Sequence, residues 1–155
     1  MTARAIVRTG GAADLDQIMP VMDAAFDPLF GERWTIAQLA GALVLPGTAL
    51  MVAEVGGSLA GFALVRHVAD EAEILLIATH PQFQRQRVGT ALLETVFNKL
   101  KQDDVAFIHI EMRVDNPALA FYQQFEFAII GHRRDYYRGL DGRLRDAMTL
   151  RRDLA

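Results

Sequence analysis

The sequence contains no cysteine among its 155 residues, and this absence removes three kinds of chemistry. Disulfide bonds, thiol nucleophiles and thiolate metal sites all require cysteine side chains. The histidines do not replace them, because His80, His109 and His132 show no metal-ligand spacing with a carboxylate. We therefore predict no metal site, and the lack of cysteine fits a cytoplasmic protein.

Long apolar runs and an excess of positive charge are also absent. No run approaches the roughly 20 residues of a membrane-spanning helix, and no N-terminal segment has the pattern of a signal peptide. The formal net charge is -3 at pH 7, whereas general binding to nucleic acid or to an anionic membrane needs a cationic excess. We expect neither partner, and the sequence leaves the oligomeric state open.

What remains is the composition of a globular protein, with 52% hydrophobic and 23% charged residues. A chain of this length can bury a sizeable core as one domain. It shows no internal repeat, low-complexity tract or linker. We therefore predict a single domain over residues 1–155.

Hydrophobic periodicity and turn residues predict the element order β-α-α-β-β-β-α-β-α-β-β. A short strand at Ala5–Val7 precedes a helix at Ala13–Phe26, which Pro20 can kink or break because it has no N–H donor. Thr35 is the predicted N-cap of a second helix, Ile36–Leu43. Three strands then follow as an antiparallel meander, at Ala49–Val55, Leu59–Val68 and Ala72–Thr79.

The second half begins with a helix from Val88-Gly89 and continues with a strand at Val105–Arg113. Because the chain crosses back over a helix, this strand should lie parallel to the strand before it. Asp115-Asn116-Pro117 predicts another helix start, with a capping residue followed by proline. A strand opening at Phe127 and a final hairpin into Asp146–Leu150 complete a domain of the α/β (α+β) class.

The loop Asp27–Arg33 contains proline and glycine and allows two interpretations of the aromatic residues near it. Phe30 and Trp34 could line a substrate cleft. Both could equally be buried in the core, where most large aromatic side chains lie. The sequence does not decide between these two positions.

The segment His80–Leu100 follows a strand, turns at a proline and becomes helical. The first N–H groups of a helix have no intrahelical partner and carry partial positive charge, so they can bind a diphosphate without a metal. Gly89 lacks a Cβ where a ligand would come close, and Arg85 and Arg87 could contact phosphate. An ordinary helix with a basic first turn would show the same pattern.

Several short motifs occur in a fixed order in the C-terminal half. They are Asp70-Glu71-Ala72, Phe83-Gln84-Arg85-Gln86, Ala91-Leu92-Leu93-Glu94, Glu111-Met112-Arg113 with Asn116 nearby, Phe121-Tyr122, and Arg133-Arg134-Asp135-Tyr136-Tyr137. This ordered set resembles the Gcn5-related N-acetyltransferase (GNAT) family, and within it the RimI type, which acetylates the N-terminal amine of a ribosomal protein. The family's Gln/Arg-x-x-Gly-x-Gly/Ala turn corresponds to Gln84–Gly89.

The resemblance implies the GNAT acyl-CoA N-acyltransferase fold, with about seven strands in a mixed central sheet and about four flanking helices. It also implies acetyl-CoA as cosubstrate and no metal. The pantetheine arm would run along Ile77, Ala78 and Thr79, and Asn116 would touch the cofactor from the start of the last helix. The implied diphosphate contacts are Arg85, Gln86, Arg87, Val88, Gly89 and Thr90, and Gln84 at the start of the motif would also bind the cofactor.

The same resemblance makes Glu111 the general base and Tyr122 the general acid. A carboxylate can take a proton from an α-ammonium group with a pKa of about 7.7–8.0, and a phenol with a pKa of about 10 can protonate a departing thiolate. Other roles remain possible for each residue. Glu111 could pair with Arg113 or with solvent, Tyr122 could serve in packing, and Asn116 could act as a helix cap.

We therefore expect an acetyl-CoA-dependent N-acetyltransferase that acts on a primary amine by direct attack on the thioester. A protein N-terminal α-amine is the first expectation for the acceptor. Two alternatives stay open. One is acetylation of a small amine such as a polyamine, an aminoglycoside or an amino acid, and the other is a catalytically weak acyl-CoA-binding regulatory domain.

Three residues depart from the family's pattern. Arg87 replaces the first glycine of the turn, where it either crowds the diphosphate or places a guanidinium beside it. Glu126 stands where a glycine usually ends the last helix, at a cost of about 1 kcal/mol if its φ is positive. Arg145 lies where the RimI type has an acidic residue, and it would disfavour a cationic acceptor if it faced the cleft.

Overall fold

The computed structural model describes residues 4–154 and has seven strands and four α-helices in the predicted order. The strands are β1 (Ile6–Thr9), β2 (Thr48–Val55), β3 (Ser58–Val68), β4 (Glu71–Thr79), β5 (Phe107–Arg113), β6 (Ala128–Arg138) and β7 (Leu144–Asp153). The helices are α1 (Leu15–Ala25), α2 (Ile36–Leu43), α3 (Val88–Gln102) and α4 (Leu119–Gln124). Within this described part, no helix is long and apolar enough to cross a membrane.

All seven strands form one mixed sheet in the order β1-β2-β3-β4-β5-β7-β6. β4 and β5 are parallel, as the crossover through α3 predicts, and the other neighbouring pairs are antiparallel. The pairing of β4 with β5 ends where Ile74 lies opposite Ile110. Beyond this point β4 continues to Thr79 and β5 to Arg113, but the two strands no longer pair with each other. Their separation opens a gap in the middle of the sheet.

A β-bulge in β4 lies next to the start of this gap. Leu64 of β3 is opposite Leu76, but Val65 is opposite Ile74, so Leu75 is an extra residue in β4. Because the bulge changes which way the side chains point, β4 contributes to both hydrophobic cores. Ala72 and Ile74 pack in the core that contains α3, whereas Leu76 and Ala78 pack in the core that contains α1 and α2.

Apolar residues recur at helical spacing in α3 and form one face of the helix. This face lies against the sheet, where α3 contacts β1, β2, β3 and β4. Its buried side chains belong to Val88, Leu92, Leu93, Val96, Phe97 and Leu100. The packing fixes the position of the helix N-terminus beside the end of β4.

Several element boundaries differ from the predicted ones. The first helix neither breaks nor ends at Pro20, since α1 continues through it to Ala25 and loses a single backbone donor. The last helix begins at Leu119 with Ala118 as its N-cap, rather than at Pro117 after a cap at Asn116, because the chain first makes a turn after β5. For α2 the predicted bounds are confirmed, and Thr35 and Gln38 form a capping box at its start.

Candidate active site

The gap between β4 and β5 forms the floor of a cleft with a volume of about 350 Å³. Backbone groups of β4 beyond Ile74 have no partner strand on the β5 side, so they remain available to a ligand. The loop between α1 and α2 forms one wall, and the end of β6 forms another. Side chains that line the cleft include Glu32, Trp34, Glu73, Glu111, Asn116 and Tyr122.

Glu111 is the first residue of β5 after the paired segment, so it lies where the cleft opens. Its side chain is 18% exposed. Arg133 Nε is 3.3 Å from Glu111 Oε1, but the two groups are not aligned as a hydrogen bond. This shielded oxygen accepts no hydrogen bond from any described residue, so it can accept one from a ligand or water.

Arg113 is not the partner of Glu111, so that predicted alternative is wrong. The Arg113 guanidinium is buried and pairs instead with Glu32 and Asp115. These pairs join the end of β5 to the loop between α1 and α2. Glu111 is therefore left with the exposed Arg133 as its cationic neighbour.

Tyr122 both packs in the core and lines the cleft. Its ring contacts Phe121 and Phe127 edge-on, with centroid distances of 5.3 and 5.7 Å. Burial raises the pKa of the Tyr122 phenol, so the hydroxyl stays protonated at neutral pH. The predicted packing role is thus present, and a role as proton donor remains compatible with it.

Asn116 lies in the turn between β5 and α4 and reaches the cleft. Its Oδ1 accepts a hydrogen bond of 2.9 Å from the N–H of Ala118. This contact satisfies one backbone donor just before α4 begins. The side-chain amide N–H groups of Asn116 remain the ones suited to a ligand, because its oxygen is already used.

The turn before α3 has two left-handed residues, Arg85 and Arg87, each with φ +63°. The first backbone hydrogen bond of the helix runs from Ala91 N to Arg87 O, at 3.0 Å. The preceding N–H groups, those of Val88, Gly89 and Thr90, have no intrahelical acceptor. Arg85, Gln86, Arg87 and Thr90 also line a cavity of about 410 Å³ next to this helix end, together with Arg4 and Glu94.

Gly89 is required for a different reason from the one expected. A Cβ built at Gly89 would lie 3.2 Å from Cζ of Phe121 on α4. This distance is tighter than most Cβ contacts, so the small residue allows α4 to pack against the start of α3. The expected approach of a ligand is therefore not needed to explain a glycine here.

The other residues expected to hold the cofactor lie along β4 and in the turn. Ile77 lines the cleft, and Thr79 is half-buried at the end of the strand. Ala78 points into the core under α1 and α2, so only its backbone can reach a ligand. Gln84 is exposed in the turn.

Glu32 and Glu73 also line the cleft, and the sequence did not single them out. Burial raises the pKa of the Glu32 carboxyl, and Asp115 adds to this effect while Arg113 opposes it. Burial and the charges of Glu32 and Glu111 raise the pKa of the neighbouring Tyr137 to about 12. The cleft thus gathers three carboxyl groups, one of them paired with Arg113, against the single guanidinium of Arg33 in its lining, and this balance favours a cationic ligand.

The two aromatic residues of the α1–α2 region take different positions. Trp34 lines the cleft, as one of the two interpretations predicted. Phe30 does not line it. Its ring lies 3.5 Å from the Arg113 guanidinium carbon and 5.0 Å from that of Arg145, so it joins β5 to the β6–β7 hairpin.

Arg145 does not line the cleft, so the expected repulsion of a cationic acceptor does not arise from it. Its guanidinium pairs with Asp141, with Nη2 2.8 Å from Oδ2. This pairing lowers the pKa of Asp141 to about 2. Over the described residues 4–154, no cluster of His, Asp and Glu side chains has an arrangement that could hold a metal ion.

Comparison with known proteins places this cleft in a family. The model of the acetyltransferase (GNAT) family matches residues 15–127. The chain belongs to the GNAT family. The match includes β4, the turn at Arg85 and Arg87, α3, β5 and α4, which are the elements that form the cleft floor and the helix N-terminus.

Among individual GNAT proteins, two relatives are called [ribosomal protein bS18]-alanine N-acetyltransferase. The one from Escherichia coli K12 is 41% identical over 88 residues, which cover 56% of this chain and 60% of that protein. The putative one from Bacillus subtilis is 30% identical over 139 residues, covering 88% and 89%. The crystal structure of the E. coli ribosomal-protein-S18-alanine N-acetyltransferase aligns with a TM-score of 0.88 at 28% identity, covering 97% of this chain and 94% of that one.

The two residues that replace glycines of the GNAT pattern share the same backbone conformation. Arg87 precedes α3 with φ +63°, and Glu126 follows α4 with φ +66°. Both residues adopt the left-handed conformation that glycine adopts without strain. The chain therefore keeps the backbone geometry of the glycine positions and tolerates the strain of a Cβ at each.

Proposed function

We propose that this protein is an acetyl-CoA-dependent N-acetyltransferase that acts on a primary amine, in first place the α-amine of a protein N-terminus. The observation that carries the proposal is the position of Glu111. Its carboxylate lies in a cleft between two diverging parallel strands, and one of these strands, β4, leads to the turn before the free N–H groups of α3. Strand β4 thus connects a base for the amine with a site for a diphosphate.

Acetyl-CoA, when bound, supplies the acetyl group as a thioester. Val88, Gly89 and Thr90 would hold the diphosphate through their backbone N–H groups, and Arg85 and Arg87 would add charge. The unpaired edge of β4 would bind the amides of the pantetheine arm. The small cavity volumes and the shape of the gap suit a linear, amide-containing chain between strands.

Each proton in this proposal has an assigned carrier. Glu111 accepts a proton from the acceptor ammonium, which makes the amine a nucleophile. Tyr122 donates its hydroxyl proton to the departing sulfur, and its raised pKa keeps that proton in place until then. The C–N bond forms as the C–S bond breaks, and the second proton lost by the nitrogen returns to the Tyr122 phenolate, which restores the phenol.

The acceptor side of the cleft supports a cationic substrate. Glu32, Glu73 and Glu111 supply negative charge, while Trp34 and Tyr137 supply ring surface for a peptide chain. The E. coli and B. subtilis relatives are named for the alanine of a ribosomal protein, which suggests the same kind of N-terminus. We place the reaction in the cytoplasm, where such an acceptor is made.

The test is thiol release from acetyl-CoA in the presence of candidate acceptors. We expect turnover with peptides that have a free α-amine and none with the same peptides blocked at the N-terminus. Faster turnover with a polyamine, an aminoglycoside or a free amino acid would instead support a small-molecule acetyltransferase. Calorimetric binding of acetyl-CoA without turnover on any amine would support a regulatory domain, and no binding at all would refute the proposal.

A further inference from the structure

A second cavity lies beside Glu111 on the same side of the sheet as α1 and α2, but over an open part of this face, where its lining residues all belong to strands. It has a volume of about 330 Å³ and is lined by residues from β3, β4, β5, β6 and β7. Glu73 and Glu111 line both this lateral cavity and the cleft. Exposed side chains at Glu71 and Arg133 place the lateral cavity in contact with bulk water.

The polar side chains in this cavity form a row across the sheet. Glu73 of β4 lies opposite His109 of β5, and Glu111 follows two residues later on the same face. Glu73 and Glu111 line the same two cavities, and the charge of Glu111 acts on the Glu73 carboxyl group, so a proton can pass between them directly or through a bridging water. The row of Glu111, Glu73 and His109 thus leads from the cleft to the open face.

Acetylation of an ammonium group requires such an exit. The acceptor loses two protons when it becomes an amide, and the departing sulfur takes up one of them. The other proton must reach solvent before the next turnover. Two bound substrates would occupy the cleft and restrict the movement of water through it.

We propose that the proton accepted by Glu111 leaves through the lateral cavity, by way of Glu73 and His109, to solvent on the open face of the sheet. The inference rests on the proposed acetyl transfer. Glu111 passes one proton to the Glu73 carboxylate, directly or through one water, and Glu73 passes it to His109 or to water. No oxidation state changes, and all three groups return to their starting protonation states.

The charges around Glu73 suit a transient proton carrier. Desolvation of the Glu73 carboxyl group by the surrounding protein raises its pKa, and the negative charge of Glu111 raises it further. His109 and Arg133 oppose the rise. A raised proton affinity makes Glu73 a better acceptor for a proton from Glu111. The charged or titratable side chains that face it are Arg66, Glu71, His109, Glu111, Arg133 and, beside His109, Arg151.

The experiment follows proton release with an indicator dye in weak buffer, using the full chain, acetyl-CoA and an acceptor peptide. Glu73→Gln should slow proton release and kcat about tenfold, less than the 10²- to 10⁴-fold expected when a group that contacts the reacting atoms is lost. The KM for the peptide should stay within about twofold of the wild-type value. Added imidazole buffer should restore the rate, because a small base can replace the missing carrier.

Glu71→Gln is the matched control, since it removes the same charge from the same face of β4 without touching the cleft. It should behave like the wild type, and His109→Gln should show the same rescue by imidazole as Glu73→Gln. Normal kcat in Glu73→Gln, a loss confined to the peptide KM, or a lost rate that imidazole does not restore would overturn the proposal. A wild-type protein that releases no thiol would instead refute the acetyl transfer itself.

Discussion

Replacing Glu126 by glycine should stabilise the protein, because this residue ends α4 in a left-handed conformation. The N–H of Glu126 donates to Gln123 O at 3.1 Å, and the N–H of Phe127 donates to Tyr122 O at 3.2 Å. These two bonds are those of a Schellman motif, and the Phe127 ring packs on the Tyr122 ring as the motif predicts. The motif thus positions the residue that we propose as the proton donor.

The size of the effect follows from three contributions. A non-glycine residue in the left-handed region costs about 1–2 kcal/mol, and glycine removes this strain. The larger entropy of glycine in the unfolded chain offsets about 0.4–1 kcal/mol of that gain. The side chain of Glu126 is 81% exposed, and its Oε2 is 4.0 Å from Arg152 Nη2. Such a surface pair contributes about 0–1 kcal/mol. Because this pair is long and exposed, its contribution should be close to zero, and we expect a net gain of about 0.5–1 kcal/mol, or a Tm higher by about 1–4 °C.

Thermal and denaturant unfolding of Glu126→Gly and Glu126→Ala would measure this difference. The alanine variant loses the same charge and the same pair with Arg152 but keeps the Cβ. It should remain within about 0.5 kcal/mol of the wild type, as most surface substitutions do. Equal stability of the glycine and alanine variants would show that the left-handed backbone is not strained, which would refute the reasoning.

The remaining predictions concern the site and the pH dependence of stability. Glu111→Gln should lower kcat by about 10²- to 10⁴-fold without changing the calorimetric affinity for acetyl-CoA, and unchanged turnover would contradict its role as base. Tyr122→Phe should slow thiol release while keeping the Tm, because the ring contacts remain; a large fall in Tm would assign the hydroxyl to structure. Arg87→Gly should raise the Tm by about 2–4 °C but weaken acetyl-CoA binding, with a smaller loss at high salt; tighter binding would show that Arg87 only crowds the site. Hydrogen bonds from Arg8 and Gly11 lower the pKa of Asp14, so its stabilising contribution is complete above the ordinary aspartate pKa of about 3.8 and is lost as pH falls through the lower folded-state value. The unfolding free energies of wild type and Asp14→Asn should accordingly differ at neutral pH and converge in strong acid, and a constant difference would exclude this linkage.

Local signals account for the elements that were predicted well. The bounds of α2 follow from Thr35 and Gln38, whose side chains cap the helix within four residues of chain. The apolar face of α3 follows from its regular spacing. The length of β6 has no such signal, because most of its residues are exposed and, within residues 4–154, β7 is its only strand partner.

The bulge at Leu75 shows why a regular pattern can still mislead. Burial alternates without interruption through β4, with Ala72, Ile74, Leu76 and Ala78 all buried. The first two nevertheless point into one core and the last two into the other. The alternation hides the extra residue, and only the pairing with β3 reveals it.

The site was predicted to the extent that its residues lie in family motifs. Glu111, Tyr122 and Asn116 come from such motifs, and all three line the cleft. Glu32 and Glu73 were not predicted as site residues. The path of the α1–α2 loop brings Glu32 to the cleft, and the divergence of β4 from β5 opens the cleft beside Glu73. The Glu32–Arg113 pair joins residues far apart in sequence, which no local pattern encodes.

The contribution of β4 to both cores should make the floor of the cleft the slowest part of the molecule to open. A unit that packs on one side only can detach while the rest stays folded. Opening β4 would expose apolar side chains from both cores at once. We therefore expect the β4 amides that pair with β3 near Leu76 to exchange with solvent deuterium only through global unfolding, while the unpaired amides on the β5 side of β4 exchange directly and the walls formed by the α1–α2 loop and β6 exchange through local fluctuations.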